Sequence, residues 1–340
     1  MNKPPFKTIM IGFGQIAQGL RQDARMAKYF TYATHAQALK DHPDFDWACV
    51  VDPDESAMEI AQADWGIGVT ETSISKALEK YEPQVAVIST PPDARFDIIQ
   101  QMPNIRAVLV EKPLGMSVSD SREFLNHCRQ NNIEVHVNFW RRTDPLYRRL
   151  SSGELSERIG TPQAVFATYG NGLHNNGCHM IDFIQMLLGD IKYVQALGDA
   201  RPGSGLPLKD DVQLSFALTT TSGIVVTVQP LDFNNYREVG IDIWGSTGRL
   251  SLYQEGLGIQ VYPKSENRGL ENEFEIASDN PETLEPTVGS ALYDMYQNLS
   301  DTLQGGSINL SSGASALKTE IILEKLMAST ASGGTRLVCD

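Results

Sequence analysis

The sequence is short of positive charge, of paired cysteines and of long apolar runs, and each shortage closes off a class of function. Twenty-eight lysines and arginines stand against 42 aspartates and glutamates, a formal net charge of −14. Such a surface repels nucleic acid and anionic membranes, so neither is expected as a partner. No apolar stretch approaches the roughly 20 residues that cross a bilayer. The four cysteines, Cys49, Cys128, Cys178 and Cys339, are scattered and form no Cys-x-x-Cys. That spacing fits reduced thiols better than a disulfide or zinc framework. The opening Met-Asn-Lys-Pro-Pro-Phe-Lys leads into a strand and lacks the apolar region of a signal peptide, so a cytoplasmic location is expected. Internal repeats and low-complexity tracts are also missing.

What remains is an ordinary globular composition, 41% hydrophobic and 21% charged, over 340 residues. That length favours two domains over one core. The first 138 residues alternate strand and helix signals. Apolar runs at Thr8–Gly12, Trp47–Asp52, Val85–Thr90, Val108–Glu111 and Glu134–Val137 are continuous rather than alternating, as in strands covered on both faces. The helical pattern of Ser117–Gln130 places Val118, Phe124 and Leu125 on one face. A doubly wound parallel sheet is predicted. Beyond about residue 140 the runs Gln213–Leu218, Ile224–Gln229, Val239–Trp244 and Ile259–Tyr262 are separated by turn residues, as in a mostly antiparallel sheet, with helices near 178–188, 288–304 and 312–330. The fold class is therefore α/β, with domains predicted at 1–139 and 140–340.

The first strand runs into Ile11-Gly-Phe-Gly-Gln-Ile-Ala. Gly12 and Gly14 permit a tight turn and a close approach of backbone to a pyrophosphate, with Gln15 and Ile16 opening a helix whose N–H groups face the anion. Ala17 stands where a small residue lets helix and strand pack closely. The second strand ends at Asp52, whose carboxylate can accept the ribose hydroxyls and repels the extra phosphate of NADP, so NAD is the expected cofactor and NADP the less favoured one. Asp52 lies 38 residues beyond Gly14 rather than about 20, an excess read as an insertion or a lengthened helix around Arg21–Thr34. Thr90 and Pro91 end the fourth strand, and Glu111 and Lys112 end the fifth. Ligands of open α/β sheets bind at such carboxyl ends, which explains charge at the end of a buried strand.

In order along the chain, GFGQIA, VVD, STPP, EKP, FWRRTDP and GCHMID resemble the motifs of the glucose–fructose oxidoreductase/inositol dehydrogenase family (Gfo/Idh/MocA). The resemblance is strongest over residues 7–188. It implies a Rossmann domain followed by an α/β domain with a large open sheet, and hydride transfer between a nicotinamide cofactor and a hydroxyl or keto carbon of a sugar, sugar derivative or cyclitol. It also implies a homodimer or homotetramer formed through the second sheet. By the same resemblance Lys112 corresponds to the active-site lysine and His179 to the acid/base. Two positions depart from the family: Asn175 stands where an aspartate precedes the histidine by four, and Arg95 replaces a histidine after the Thr-Pro motif.

The chemistry gives these residue types their roles. Removing hydride from a carbinol carbon requires the hydroxyl proton to leave as well, and imidazole accepts it near neutral pH. An ammonium beside the oxygen stabilises the alkoxide. Asn175 can orient the ring but carries no charge, and Asp182, three residues after His179, is a candidate for the missing carboxylate. Trp140 and Arg141 are candidate substrate contacts, by stacking on a sugar face and by pairing with an anionic group. For Arg142 a structural pairing with Asp144 or Glu111 is equally consistent. Cys178 and His174 beside His179 lack a further ligand at zinc spacing, so no metal is expected. Two other functions share these features: a glycosidase using NAD transiently, and a non-catalytic NAD or sugar sensor.

Overall fold

The computed structural model describes residues 4–203, 205–276 and 279–339. In chain order the first elements are β1 (Phe6–Ile11), α1 (Ala24–Tyr29), α2 (His35–Asp41), β2 (Phe45–Val51), α3 (Glu55–Trp65), β3 (Val69–Glu71), α4 (Ile74–Lys80) and β4 (Val85–Ile88). Then come α5 (Arg95–Gln100), β5 (Ala107–Val110), α6 (Val118–Gln130), β6 (Glu134–Val137), α7 (Pro145–Arg149) and α8 (Leu155–Ile159). They are followed by β7 (Pro162–Tyr169), α9 (Cys178–Leu188), β8 (Ile191–Ala196), β9 (Arg201–Pro202), β10 (Val212–Gln213), β11 (Phe216–Thr220) and β12 (Val225–Pro230). The last are β13 (Gly240–Gly245), β14 (Gly248–Tyr253), β15 (Gly258–Glu266), β16 (Phe274–Ile276), β17 (Glu282–Thr283), α10 (Ala291–Leu303), α11 (Gly313–Ala331) and β18 (Leu337–Val338).

Two compact units result, Met1–Asp144 with Gly289–Leu317, and Pro145–Val288 with Lys318–Asp340. The first holds a six-stranded parallel sheet in the order β3-β2-β1-β4-β5-β6. Its strands are buried on both faces: every residue of β4 and β5 is inaccessible, which is why these segments read as unbroken Val, Ala, Ile and Leu. Leu292, Met295, Tyr296 and Leu299 of α10 complete the core around Phe6, Met10, Phe45 and Val50.

At the glycine turn the structure decides between the expected insertion and the lengthened helix in favour of the insertion. After Gly14 one helical turn forms, with Gln18 N–H bonded to the Gly14 carbonyl at 3.0 Å, and the chain then leaves through a 3-10 turn at Gly19–Gln22 and α1. It returns at α2, where His35 N–H bonds the Ile16 carbonyl at 3.2 Å and Ala36 N–H bonds the Ala17 carbonyl at 2.8 Å. The insertion is thus looped out of a helix that resumes at His35, with Thr34 capping α2 by accepting from Gln37 N–H. Subtracting residues 18–34 from the 38-residue spacing leaves 21, the ordinary distance from glycine turn to acidic residue.

The second unit is built on a ten-stranded sheet, β16-β15-β14-β13-β7-β12-β11-β8-β18 with β17 beside β15. All its pairings are antiparallel except β7 with β12. Period-two alternation shows on β7, with Val165, Ala167 and Tyr169 buried and Phe166 40% exposed on the other face. The predicted strand Gln213–Leu218 is broken in two. Tyr169 donates its hydroxyl to the Leu214 carbonyl at 2.8 Å and accepts the Leu214 N–H at 3.0 Å, taking the backbone groups that a continuous ladder would use. β10 pairs instead with β9 in a separate ribbon. No helix among the described residues is long and apolar enough to cross a membrane.

Candidate functional site

At the carboxyl edge of the six-stranded sheet, Gly12 adopts φ +86°, and a Cβ there would meet the Ser89 backbone at 3.0 Å. This glycine is needed for the turn to pass under β4. Gly14 differs: nothing lies within 4 Å of the position a Cβ would take, which leaves open space where backbone can approach an anion. Asp52 reaches the same turn. Its Oδ2 accepts the Phe13 N–H at 2.7 Å and its Oδ1 accepts the Asp54 N–H at 2.9 Å. Each oxygen keeps a lone pair for a ribose hydroxyl. The Thr90 hydroxyl is buried and has no partner in the protein, so this edge also holds a polar atom awaiting one. The residues present fit a dinucleotide.

Arg95 is the second organiser of this edge. It is 2% exposed, donates to the Thr90 carbonyl from Nε at 3.1 Å and Nη2 at 2.7 Å, and bonds the carbonyls of Glu111 and Pro113 through Nη1. The residues on either side of Lys112 are therefore tied by one guanidinium to the end of the neighbouring strand. The Lys112–Pro113 peptide is cis, and Lys112 itself is half-buried.

Glu111 is held from the side chain as well. Its Oε1 lies 3.0 Å from His35 Nε2 and accepts from Asn138 Nδ2 at 2.5 Å. His35 Nδ1 lies 2.8 Å from the hydroxyl of the fully buried Tyr296. Burial raises the Tyr296 phenol well above its ordinary range, so it keeps its proton and donates to Nδ1. A neutral ring then carries its proton on Nε2 and donates to Glu111. Burial alone would raise the Glu111 carboxyl, but the hydrogen bonds from His35 and Asn138, with the nearby Lys112 ammonium, bring it below the usual carboxylate value.

Trp140 and Arg141 lie in a 3-10 turn after β6, the Arg141 guanidinium 4.2 Å above the indole and 8% exposed. One face of Trp140 is covered by its own neighbour. Glu111, one partner considered for Arg142, has its Oε1 engaged by His35 and Asn138.

His179 and Asn175 belong to the second unit. Gly172, at φ +92°, starts a wide helical turn over Leu173–Gly177, closed by Gly177 N–H to the Gly172 carbonyl at 3.0 Å, and α9 continues from it. Such π-type turns recur at functional sites. His179 and Asn175 are both half-buried. Asp182 is 1% exposed and accepts from the Thr319 hydroxyl at 3.4 Å. The carboxylate that the fold brings against Asn175 comes from elsewhere: Asp211 Oδ2 accepts the Asn175 N–H at 2.9 Å. Its Oδ1 accepts the N–H groups of His174 at 3.0 Å and Val212 at 2.8 Å and lies 3.0 Å from His174 Nδ1. No pattern in the sequence singles out Asp211, Tyr296, His35 or Asn138, because each acts through a contact distant in the chain. Among the described residues, no group of three His, Cys, Asp or Glu is placed to hold a metal.

A curated relative, the scyllo-inositol 2-dehydrogenase (NAD(+)) of Bacillus subtilis, is 28% identical over 162 residues, covering 43% of this chain and 47% of the relative. The match thus spans about half the length of that protein. Among solved structures, an oxidoreductase from Agrobacterium radiobacter in complex with NAD+, L-tartaric acid and magnesium superposes with a TM-score of 0.74 at 18% identity, over 98% of both chains. The WlbA dehydrogenase of Bordetella pertussis, in complex with NADH and UDP-GlcNAcA, does so with a TM-score of 0.71 at 17% identity, again over 98% of both. At these identities the superpositions establish the fold. Residues 6–139 match the oxidoreductase family with an NAD-binding Rossmann fold and residues 133–251 match the C-terminal domain of the same family, so the chain belongs to the Gfo/Idh/MocA oxidoreductases.

Proposed function

We propose that this protein is an NAD-dependent dehydrogenase or reductase acting on a CH–OH carbon of a cyclitol, sugar or sugar derivative. The observation that supports this best is the carboxyl edge of the parallel sheet, where the open Gly14 turn and Asp52 lie on the same edge as Lys112, whose flanking carbonyls Arg95 holds. NAD, when bound, supplies the hydride acceptor. Asp52 takes the ribose hydroxyls and disfavours NADP by like-charge contact. Gly12, Gly14, Gln15 and Ile16 line the pyrophosphate turn, with Thr90, Pro91 and Glu111 along the same edge. Lys112 binds the substrate oxygen and stabilises the charge that grows on it as the hydroxyl proton leaves. That proton passes to an imidazole of the Gly172–Leu188 segment, and His179 matches the family position, with Asn175 orienting rather than ionising. Trp140 and Arg141 contact the substrate.

The named relative supports a cyclitol, and the neighbour solved with UDP-GlcNAcA supports a sugar derivative. The half-exposed Phe166 and Val225 on the uncovered face of the second sheet support a homodimer or homotetramer formed there. The scattered cysteines, three of them buried, support a cytoplasmic location. The test is NADH formation from NAD with scyllo-inositol and a panel of polyols and sugars. Lys112→Met is expected to lower turnover by about 10²–10³ while leaving NADH binding in place. A wild type that binds NADH but oxidises no member of the panel overturns the reading. Turnover of an aryl glycoside without net NADH would point to the glycosidase instead.

A further inference from the structure

The family's acid/base pairs an imidazole with a carboxylate, and this chain has Asn175 where that carboxylate would stand. A carboxylate-coupled imidazole is nevertheless present, one residue earlier. His174 Nδ1 lies 3.0 Å from Asp211 Oδ1, across 37 residues of chain. The two ends of the pair have opposite surroundings: the His174 side chain is 43% exposed and the Asp211 side chain 1%. A buried carboxylate behind and an accessible ring in front is the arrangement in which a carboxylate orients a histidine for proton transfer.

The pair is built rather than incidental. Asp211 accepts three backbone N–H groups, from His174, Asn175 and Val212, besides the ring. Burial would raise its pKa, but the His174 ring and these three amides together bring it below the ordinary value, so Asp211 stays ionised. With Nδ1–H directed to Asp211, Nε2 is left as the basic nitrogen. A Cβ on Gly172 would come within 2.0 Å of Asp211 Oδ2, so the wide turn admits the carboxylate because this position is glycine. The ribbon of β9 and β10 anchors Asp211 from the other side through Val212. In the same unit, Asn171 and Gln213, which flank the pair along the chain, line a cavity of about 320 Å³ with Arg201, Leu206 and Phe233.

We infer that His174, oriented by Asp211, takes the substrate hydroxyl proton, leaving His179 to bind the substrate. This rests on the dehydrogenase reading. The balance is simple: the C–H bond breaks with its electron pair going to the nicotinamide, the O–H proton goes to His174 Nε2, and the carbonyl forms. The imidazolium so produced faces Asp211. His174 is thereby a catalytic residue and Asp211 a positioning residue. The titratable and charged groups on elements around the pair are Tyr169 of β7, Cys178, His179 and Asp182 of α9 and Arg201 of β9, with Lys209 and Asp210 preceding Asp211 in the chain. Tyr169, raised by burial, holds its proton. Cys178 donates its S–H to the Asn175 carbonyl at 3.3 Å.

The experiment compares His174→Gln, His179→Gln and Asp211→Asn with wild type, using NAD and whichever polyol of the panel the wild type oxidises, from pH 5 to 9. His174→Gln is expected to lower kcat by about 10²–10⁴ with little change in KM, the usual contribution of a general base, and His179→Gln to act mainly on KM. Asp211→Asn is expected to lower kcat with little change in KM, since the ring loses the carboxylate that holds its Nδ1–H. The imidazole NMR signal that His174→Gln removes should also change position in Asp211→Asn, where the Nδ1 partner is altered, a readout independent of turnover. If Asp211→Asn does not fold, His174→Gln decides alone. Wild-type kcat in His174→Gln beside a large kcat loss in His179→Gln overturns the inference and leaves the dehydrogenase reading standing. A wild type inert on the whole panel removes both.

Discussion

The carboxyl edge of the parallel sheet and the turn before α9 hold their candidate residues by different means. At the sheet edge the positions follow from topology: parallel strands end on one side, so Gly12, Asp52, Thr90 and Lys112 converge wherever the fold forms. Arg95 then refines the arrangement, tying three carbonyls from two strand ends. In the turn before α9 nothing comparable is guaranteed by topology. One carboxylate, Asp211, sets both the backbone of His174 and Asn175 and the His174 ring. A scaffold with many strands tolerates a changed contact, whereas a turn hung on one side chain does not.

The comparison is broken most completely at Gly14. A branched side chain there enters the open space beside the turn without meeting protein atoms, so the fold should survive. Gly14→Val is expected to weaken NADH binding by more than 100-fold, or about 2.7 kcal/mol, with a urea midpoint close to wild type. Gly12→Val supplies the contrast, because its left-handed backbone and the Ser89 contact at 3.0 Å make it a folding defect. Unchanged NADH affinity in a folded Gly14→Val, read by fluorescence titration, would remove the cofactor site from this turn.

Arg95 comes next. Removing the guanidinium leaves the carbonyls of Thr90, Glu111 and Pro113 without this buried donor. Each unsatisfied acceptor costs roughly 1–3 kcal/mol, less whatever water recovers, so Arg95→Met should lose about 3 kcal/mol of stability in urea unfolding. If the Gly14 turn and Asp52 hold the cofactor as proposed, its NADH affinity should fall far less than that of Gly14→Val. A variant as stable as wild type would show that the strand ends hold without the clamp.

What the sequence reveals follows the same division. The buried strands announce themselves as runs such as Ala107–Val110, whereas β3, three half-exposed residues at the sheet edge, has no apolar run and goes unseen. The 38-residue spacing is visible as an anomaly, but its cause, a helix that resumes at His35 on the carbonyls of Ile16 and Ala17, is a contact across the insertion. Likewise the amphipathic pattern of α10 says that one face is buried without saying in which core, and Met295, Tyr296 and Leu299 prove to belong with Phe6 and Phe45. Lys112 and Asp52 stand in motifs that end strands and can be found by position. Asp211 and Tyr296 stand in no motif, and only the folded chain brings them to His174 and His35. Local order is legible; partners drawn from far along the chain are not.

The finest distinction lies among the histidines themselves. His35 and His174 face carboxylates, whereas His136, on β6, is wholly buried and neither ring nitrogen has a hydrogen-bond partner. Burial alone lowers its pKa from 6.5 to about 3. In the unfolded chain the ring takes up a proton below about pH 6.5, while in the folded protein it stays neutral until about pH 3. The unfolded state therefore binds more protons across this window, and stability must fall as pH falls, by up to about 1.4 kcal/mol per pH unit. Glu111, also lowered, adds its own loss only at more acid pH, below its unfolded value of 4.5. Between pH 6.5 and 5 the slope thus comes from His136, with a lesser share from His42, whose pKa burial also lowers. His136→Leu, similar in size and free of polar atoms, should match or exceed wild-type stability at pH 7 and flatten most of that slope. Urea unfolding at pH 7, 6 and 5 measures it, and a slope as steep in the variant as in wild type would mean that the ring is protonated or solvated in the folded protein after all.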